Sequence, residues 1–363
     1  MKCMEPVKIY WDKDEQKYSF KKPLHTDWDK CIVTSCGRCP ACRQEWRTHL
    51  ARRVMYELEN YNYNERCFLT LTCDDAHINE VFPGMSLDHE YFKKFIKRLR
   101  RYLEYHKIPH KPIKYLVSGE YGTHNTHRPH FHLILFGWKP DDLKYKGRSK
   151  KGFPVFKSEL ISKVWKAGYI EVGDVTEQTA GYMVKYIVKY SEKKKSITYD
   201  KKMTEDVINE DTGEIMEYQW IEKCRKRVFK APVFVGWTKD GGYLYEERVV
   251  KPPYIVYPKK IMGIDFFLKN FRQILSNGFI MDSRGHRHSI PKNFLKYCKE
   301  HEEDIELNEC YQQYLAKLEL IFEEEKQYLI SLGYKTFNQR YQYYQEQGRI
   351  KRIELESFRN KNR

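Results

Sequence analysis

Residues 66–175 predict an α+β fold whose antiparallel sheet follows the ferredoxin-like order of strand, helix, strand, strand, helix, strand. Three observations carry the prediction. RCFLTLTC at 66–73, KYLVSGE at 114–120 and PHFHLILFG at 129–137 are short, apolar or alternating, and rich in β-branched and aromatic residues. Between the first two, Leu87, Tyr91, Phe92, Phe95, Ile96, Leu99 and Leu103 recur at the helical period. Only the polar stretch YGTHNTHR separates the second strand from the third, so these two form a hairpin.

In chain order, residues 1–30 show charged and aromatic residues without a clear period and are expected to form an arm. CIVTSCGRCPACRQEW follows. Cys36, Cys39 and Cys42 are each two residues apart, a spacing that lets a tight turn aim thiolates at one tetrahedral ion, with Cys3 or Cys31 as the fourth ligand. A structural Zn²⁺ is one reading; reduced unliganded thiols and an iron–sulfur cluster are the others, and no fourth cysteine follows at ferredoxin spacing. From about Pro40 to Asn60 the pattern is helical, with Trp46, Leu50, Val54 and Leu58 at four-residue steps and Arg43, Arg47, Arg52 and Arg53 adding positive charge. Ser86 caps the next helix, which runs to about His106, and Pro109 and Pro112 end it. A basic loop at 144–151 precedes a helix at about 158–167, stopped by Gly168; YIEVGDV at 169–175 is the last strand, and a helix follows it.

Past Tyr190 the run SEKKKS reads as solvated linker. The β-like pieces at 196–260 have no assigned place, and after Phe266 the chain turns mainly helical, with helices near 307–330 and from Tyr334 onward. Three regions are therefore expected: a Cys-rich arm and basic helix at 1–62, the α+β domain at 63–195, and a mixed then helical region at 196–363.

With 363 residues, 41% of them hydrophobic, the chain can bury a sizeable core. It has no apolar run of bilayer-spanning length, and MKCMEPVKIYWDKDEQK lacks the apolar core of a signal peptide, so a soluble intracellular protein is expected. Ten cysteines in so long a chain, with no export signal, do not make a disulfide framework. Sixty-six Lys and Arg against fifty Asp and Glu leave a charge of +16 and point to a polyanionic partner.

His130-Phe131-His132 opens the third strand. Period-2 alternation puts both imidazoles on one face, and Glu120, across the hairpin, can add a carboxylate. Such a set suits a divalent metal. His124 and His127 in the turn compete with Glu120 for the third place. Downstream, GYMVKYIVKY at 181–190 places Tyr182 and Tyr186 one helical turn apart on one face.

FLTLT at 68–72, RPHFHLILFG at 128–137 and GYMVKYIVK at 181–189 resemble motifs one, two and three of the HUH endonucleases that initiate rolling-circle replication. The paired-tyrosine form is similar to that of the initiators of small icosahedral single-stranded-DNA phages, and CGRCPACRQEW resembles the gokushovirus branch of those microviruses. The likeness is specific over about 31–192 and loose around 277–297. It implies a DNA-nicking and -joining endonuclease that uses Mg²⁺ or Mn²⁺ on His130, His132 and Glu120. Tyr182 and Tyr186 would be the nucleophiles, with Lys185 and Lys189 assisting ionisation and gripping the backbone. Tyr190 is in register with Tyr186, so Tyr186 and Tyr190 form an alternative pair; the lysine in Tyr-xx-Lys-Tyr-xx-Lys favours the first. The resemblance further implies single-stranded and origin DNA as substrate and a host replication helicase and polymerase as partners. It implies neither a membrane nor a small-molecule substrate, and it places the protein in the cytoplasm of a bacterial host. A plasmid initiator or relaxase-like nuclease, and a non-catalytic ferredoxin-like nucleic-acid binder, are the alternatives.

Overall fold

A computed structural model describes residues 3–122, 126–149, 152–181, 183, 194–208, 215–282 and 285–361. The chain divides into two compact units, Met1–Asn60 with Lys260–Arg363, and Tyr61–Lys259. The class is α+β and every sheet is antiparallel. Among the described residues no helix is long and apolar enough to cross a membrane.

The first unit begins where an irregular arm was expected, but the arm is a small sheet: β1 (Val7–Asp12), β2 (Lys17–Ser19) and β3 (Thr26–Thr34) in the order β2-β1-β3. The Asp12 carboxylate accepts the amides of Asp14 and Glu15 and closes the first turn. β1 is half-buried at every position, so no alternation marks it in the sequence. α1 (Pro40–Leu58) starts with proline in its first turn, where a missing N–H costs nothing. It buries Leu50, Ala51, Val54 and Leu58.

In the second unit, β4 (Arg66–Cys73) alternates strictly, with Cys67, Leu69, Leu71 and Cys73 buried. A short helix α2 (Ile78–Val81) leads to α3 (His89–Tyr105), capped by Asp88 rather than Ser86. α3 buries Tyr91, Phe92, Phe95, Ile96, Leu99 and Leu103, each worth about 1.5–3 kcal/mol of transfer free energy. The hairpin β5 (Lys114–Tyr121) and β6 (Pro129–Phe136) follows as expected. The expected basic loop at 144–151 instead carries an edge hairpin, β7 (Lys144–Arg148) and β8 (Pro154–Lys157). Its charged, exposed residues conceal a strand from sequence reading, as charged residues on sheet edges commonly do. α4 (Glu159–Trp165) is capped by the Ser158 hydroxyl and leads to β9 (Gly168–Gly173).

The unplaced region at 196–260 is also β. β10 (Lys194–Ile208) begins inside the run read as linker. It pairs with β11 (Ile215–Trp237), which pairs with β12 (Tyr243–Val250), and β13 (Tyr254–Val256) joins the main sheet. That sheet has seven strands, in the order β13-β5-β6-β4-β9-β8-β7. One face meets α3 and α4 in a core centred on Trp165, whose indole donates to the Thr72 carbonyl at 3.1 Å. Gly119 is required where Tyr254 crosses β5, because a Cβ there would lie 2.8 Å from its ring.

The first unit resumes with α5 (Ile264–Asn277), the two-residue strands β14 (Ile280–Met281) and β15 (Arg287–His288), α6 (Lys292–Glu300), α7 (Ile305–Ser331) and α8 (Phe337–Lys361), the mainly helical ending expected. Here Tyr56 of α1 stacks on Phe266 at 4.2 Å and 5°. Glu57, only 2% exposed, accepts the Gly263 amide at 2.9 Å.

Candidate metal centre

Strand register assembles the site on the sheet face opposite α3 and α4. β5, β6, β4 and β9 align Ser118, His132, Thr70 and Glu171 in one row and Glu120, His130, Thr72 and Tyr169 in the next. Side chains two apart on a strand share a face, so Glu120, His130 and His132 meet. Glu120 Oε1 lies 2.6 Å from His132 Nε2 and 3.6 Å from His130 Nε2. One ligand atom from each residue falls within 4.8 Å of the other two. Glu120 and His132 are buried.

The imidazoles are held from behind. His130 Nδ1 is 3.0 Å from the Arg128 carbonyl, which only accepts, so Nδ1 carries the proton and the neutral ring turns the Nε2 lone pair toward Glu120. His132 Nδ1 meets the Thr70 hydroxyl at 3.0 Å, and Phe68 stacks on its ring at 5.5 Å. Arg128 is itself anchored: its guanidinium donates to the Cys73 carbonyl at 2.8 Å and pairs with Asp75.

Burial opposes the charge on Glu120, yet His132 and His130 outweigh it and hold the carboxyl down to about 2. Burial lowers His132 toward its neutral form; for His130, Glu120 overcomes burial and raises it. Neither carboxylate oxygen accepts a backbone or hydroxyl hydrogen bond. A lone pair and an anion face each other across this gap, which favours a cation between them, and one carboxylate with two imidazoles is a divalent-metal donor set. The residues fit such an ion.

His127 is not part of this group. Its Nδ1 donates to the Gly122 carbonyl at 2.8 Å and its ring meets Tyr245. His124, Tyr182, Lys185, Tyr186, Lys189 and Tyr190 lie outside the described residues. Sequence reading missed Thr70 and the Arg128 carbonyl. The Thr70-x-Thr72 alternation puts both hydroxyls on one face, but their approach to histidine depends on cross-strand register.

A second group joins Cys3, Cys36, Cys39 and Cys42, their sulfurs within 4.8 Å of one another. Cys39 Sγ lies 3.8 Å from Cys3 Sγ and 3.5 Å from Cys42 Sγ. The amides of Met4 and Glu5 point at Cys39 and Cys3, and those of Cys36 and Cys39 at Cys3 and Cys36. Burial resists ionisation of Cys39, but the amides of Cys42 and Met4 and the neighbouring thiols bring it down to about 7. Cys31 stands apart, its thiol donating to the Asp27 carbonyl at 3.2 Å. Asp282, His286 and His288 also converge, but the Asp282 carboxylate already accepts the His286 amide and lies within hydrogen-bond reach of both rings, the arrangement of a closed turn.

The family model for replication-associated protein ORF2 matches residues 66–191, which enclose the Glu120, His130 and His132 group. Replication-associated protein ORF2 of Spiroplasma virus 4 is 32% identical over 201 residues, 52% of this chain and 61% of that protein. Replication-associated protein ORF4 of Chlamydia phage 1 is 34% identical over 158 residues, 42% of this chain and 37% of that protein. The chain thus spans less than two thirds of either of these relatives. No solved structure matches. Replication-associated protein VP4 of Bdellovibrio phage phiMH2K is 30% identical over 231 residues, 63% of this chain and 70% of that protein, and on this breadth of likeness the chain belongs to the replication-associated proteins of microviruses.

Proposed function

We propose that this replication-associated protein starts rolling-circle copying as an HUH endonuclease, nicking and rejoining one strand of viral origin DNA. The supporting observation is the convergence of Glu120, His130 and His132 on neighbouring strands. The central strand order β5-β6-β4-β9, with helices after the first and third of these strands in sequence, is that of a ferredoxin-like βαββαβ sheet. The nuclease is assigned to residues 63–195, with 1–62 and 196–363 flanking it.

A Mg²⁺ or Mn²⁺ ion on Glu120, His130 and His132 would supply Lewis-acid polarisation of the scissile phosphate. The Arg128 carbonyl and the Thr70 hydroxyl keep the imidazoles aimed, and the buried Glu120 stays anionic at neutral pH. Tyr182 or Tyr186 attacks phosphorus: a phenolate O–P bond forms and the P–O3′ bond breaks, leaving a 5′-phosphotyrosine and a free 3′-hydroxyl. An unperturbed phenol titrates near ~10, so Lys185 and Lys189 assist ionisation and grip the backbone. The link retains the ester's energy, and the 3′-hydroxyl can reverse it without a nucleotide cofactor. In the cytoplasm of the bacterial host, a helicase and polymerase would extend the freed end.

The four cysteines are proposed to hold one structural Zn²⁺. A tetrahedral ion with zinc–sulfur bonds of ~2.3 Å separates its sulfurs by about 3.8 Å, close to the spacings found.

Calorimetric titration with Mn²⁺ tests the metal reading. The protein is expected to bind one ion in the second unit, and Glu120→Ala, His130→Ala and His132→Ala are each expected to lose it. Binding unchanged in all three would refute the assignment.

A further inference from the structure

The β11–β12 hairpin has a foot and a tip of opposite character. Phe229, Ala231, Val233 and Val250 at the foot are buried in the core of the second unit. Beyond them every residue from Thr238 to Val249 is exposed, and rings collect on one face of the tip. Trp237 and Tyr243 pair across the strands with centroids 4.7 Å apart. Phe234 lies 5.4 Å from Trp237 and 5.9 Å from Tyr243. Tyr243 and Tyr245 stack at 6.3 Å and 20°. The row ends on His127, 5.0 Å from Tyr245. Trp237 remains 60% exposed, Tyr245 38% and Tyr243 37%.

Rings this open spend burial energy on nothing within the described chain, and Trp and Tyr faces suit planar partners. The row is continuous with the metal centre. His127 lies in the turn closed by the Gly122 amide on the Arg128 carbonyl, and that carbonyl also fixes His130. Charge favours a polyanion: the chain carries +16, and on this hairpin Glu246 and Glu247 are matched by Arg248 and Lys230 while Lys239 adds to the turn.

We propose that Phe234, Trp237, Tyr243, Tyr245 and His127 form a stacking platform for the bases of single-stranded DNA, leading the strand to the Glu120, His130 and His132 centre. Its destination rests on the nuclease reading, but its binding does not. Stacking is indifferent to base identity, so the platform sets strandedness and path rather than sequence.

The test is fluorescence anisotropy with labelled oligo(dT) in EDTA, where no cleavage occurs. Trp237→Ala and Tyr243→Ala are each expected to weaken binding about tenfold and the double variant about a hundredfold, while Trp237→Phe stays within about twofold. The slope of affinity against salt is expected to be unchanged, because no phosphate contact is lost. Affinity for a blunt duplex, whose bases are already stacked, is also expected to be unchanged. A double variant with wild-type thermal unfolding that binds oligo(dT) normally would overturn the proposal, as would equal loss on single strand and duplex. So would loss of self-association in gel filtration with oligo(dT) binding intact, which would make the face an interface between copies. Independently of any variant, photocrosslinking of the wild-type protein to bromodeoxyuridine oligonucleotides is expected to label Trp237 or Tyr243; crosslinks confined to other segments would overturn it. Stacking without cleavage would refute only the nuclease, and cleavage without stacking only the platform.

Discussion

Thr70 does no chemistry in this account, yet it sets how His132 faces Glu120 by occupying Nδ1 at 3.0 Å. Groups that orient a metal-binding imidazole typically tune affinity 10–100-fold, so Thr70→Val is expected to weaken Mn²⁺ binding by about that factor and Thr70→Ser to restore it, measured by calorimetry. Loss of a ligand is more severe. His130→Ala and His132→Ala are expected to abolish nicking while leaving most DNA affinity, which distributed phosphate contacts supply; gel-shift and cleavage assays on the same preparations separate the two. The histidines and Glu120 could be placed on one face from sequence because period 2 is a local property. Thr70 and the Arg128 carbonyl could not, because which residue of β4 lies opposite His132 is decided by register between strands 62 residues apart.

Helices and strands with one buried face were readable, and those without one were not. α3 advertised itself by a continuous apolar stripe, and Phe95, fully buried against Trp165, is expected to cost about 3–5 kcal/mol when truncated to alanine, seen as a lower midpoint in denaturant. β1 is half-buried throughout, and β7 is mostly exposed at a sheet edge, so neither carries the alternation on which strand reading depends. The cysteine cluster was legible in part. CxxCxxC marks three ligands, but only folding brings in Cys3 and leaves Cys31 aside. Cys39→Ser is expected to reduce zinc, by elemental analysis, from one atom per chain to none and to lower the melting temperature; equal zinc in both would exclude Cys39 as a ligand. A pH effect belongs to the end of β9. Burial works against the Asp174 charge, but Lys139 at 2.9 Å and Tyr63 at 2.7 Å hold its carboxyl below the ordinary value. With a lowered folded-state pKa, its contribution is present above the unfolded value of ~3.9 and is lost as pH falls through the folded one. Melting temperature followed through acid pH should therefore fall less steeply in Asp174→Asn than in the wild type.

Across the whole chain, the +16 charge, a metal-ready carboxylate and histidine set, and tyrosines one helical turn apart belong to one task, cutting and holding a polyanion. The charge and the tyrosine spacing are plain in the amino-acid sequence. The assembly of 260–363 with 1–60 is not, because contacts between segments so distant in sequence leave no periodic trace. Two nucleophiles give such a protein its cycle. One tyrosine keeps the 5′ end while the other cuts the regenerated origin, so Tyr182→Phe and Tyr186→Phe are each expected to nick once and to fail at circularisation. The most direct measurement is a denaturing gel of the protein incubated with Mn²⁺ and labelled single strands tiled across the parent phage genome. The account predicts one origin-bearing strand that becomes covalently attached to the wild-type chain, and no adduct with the Tyr182→Phe, Tyr186→Phe double variant. An adduct of undiminished yield in the double variant, or wild-type protein that binds every strand and joins none, would contradict it.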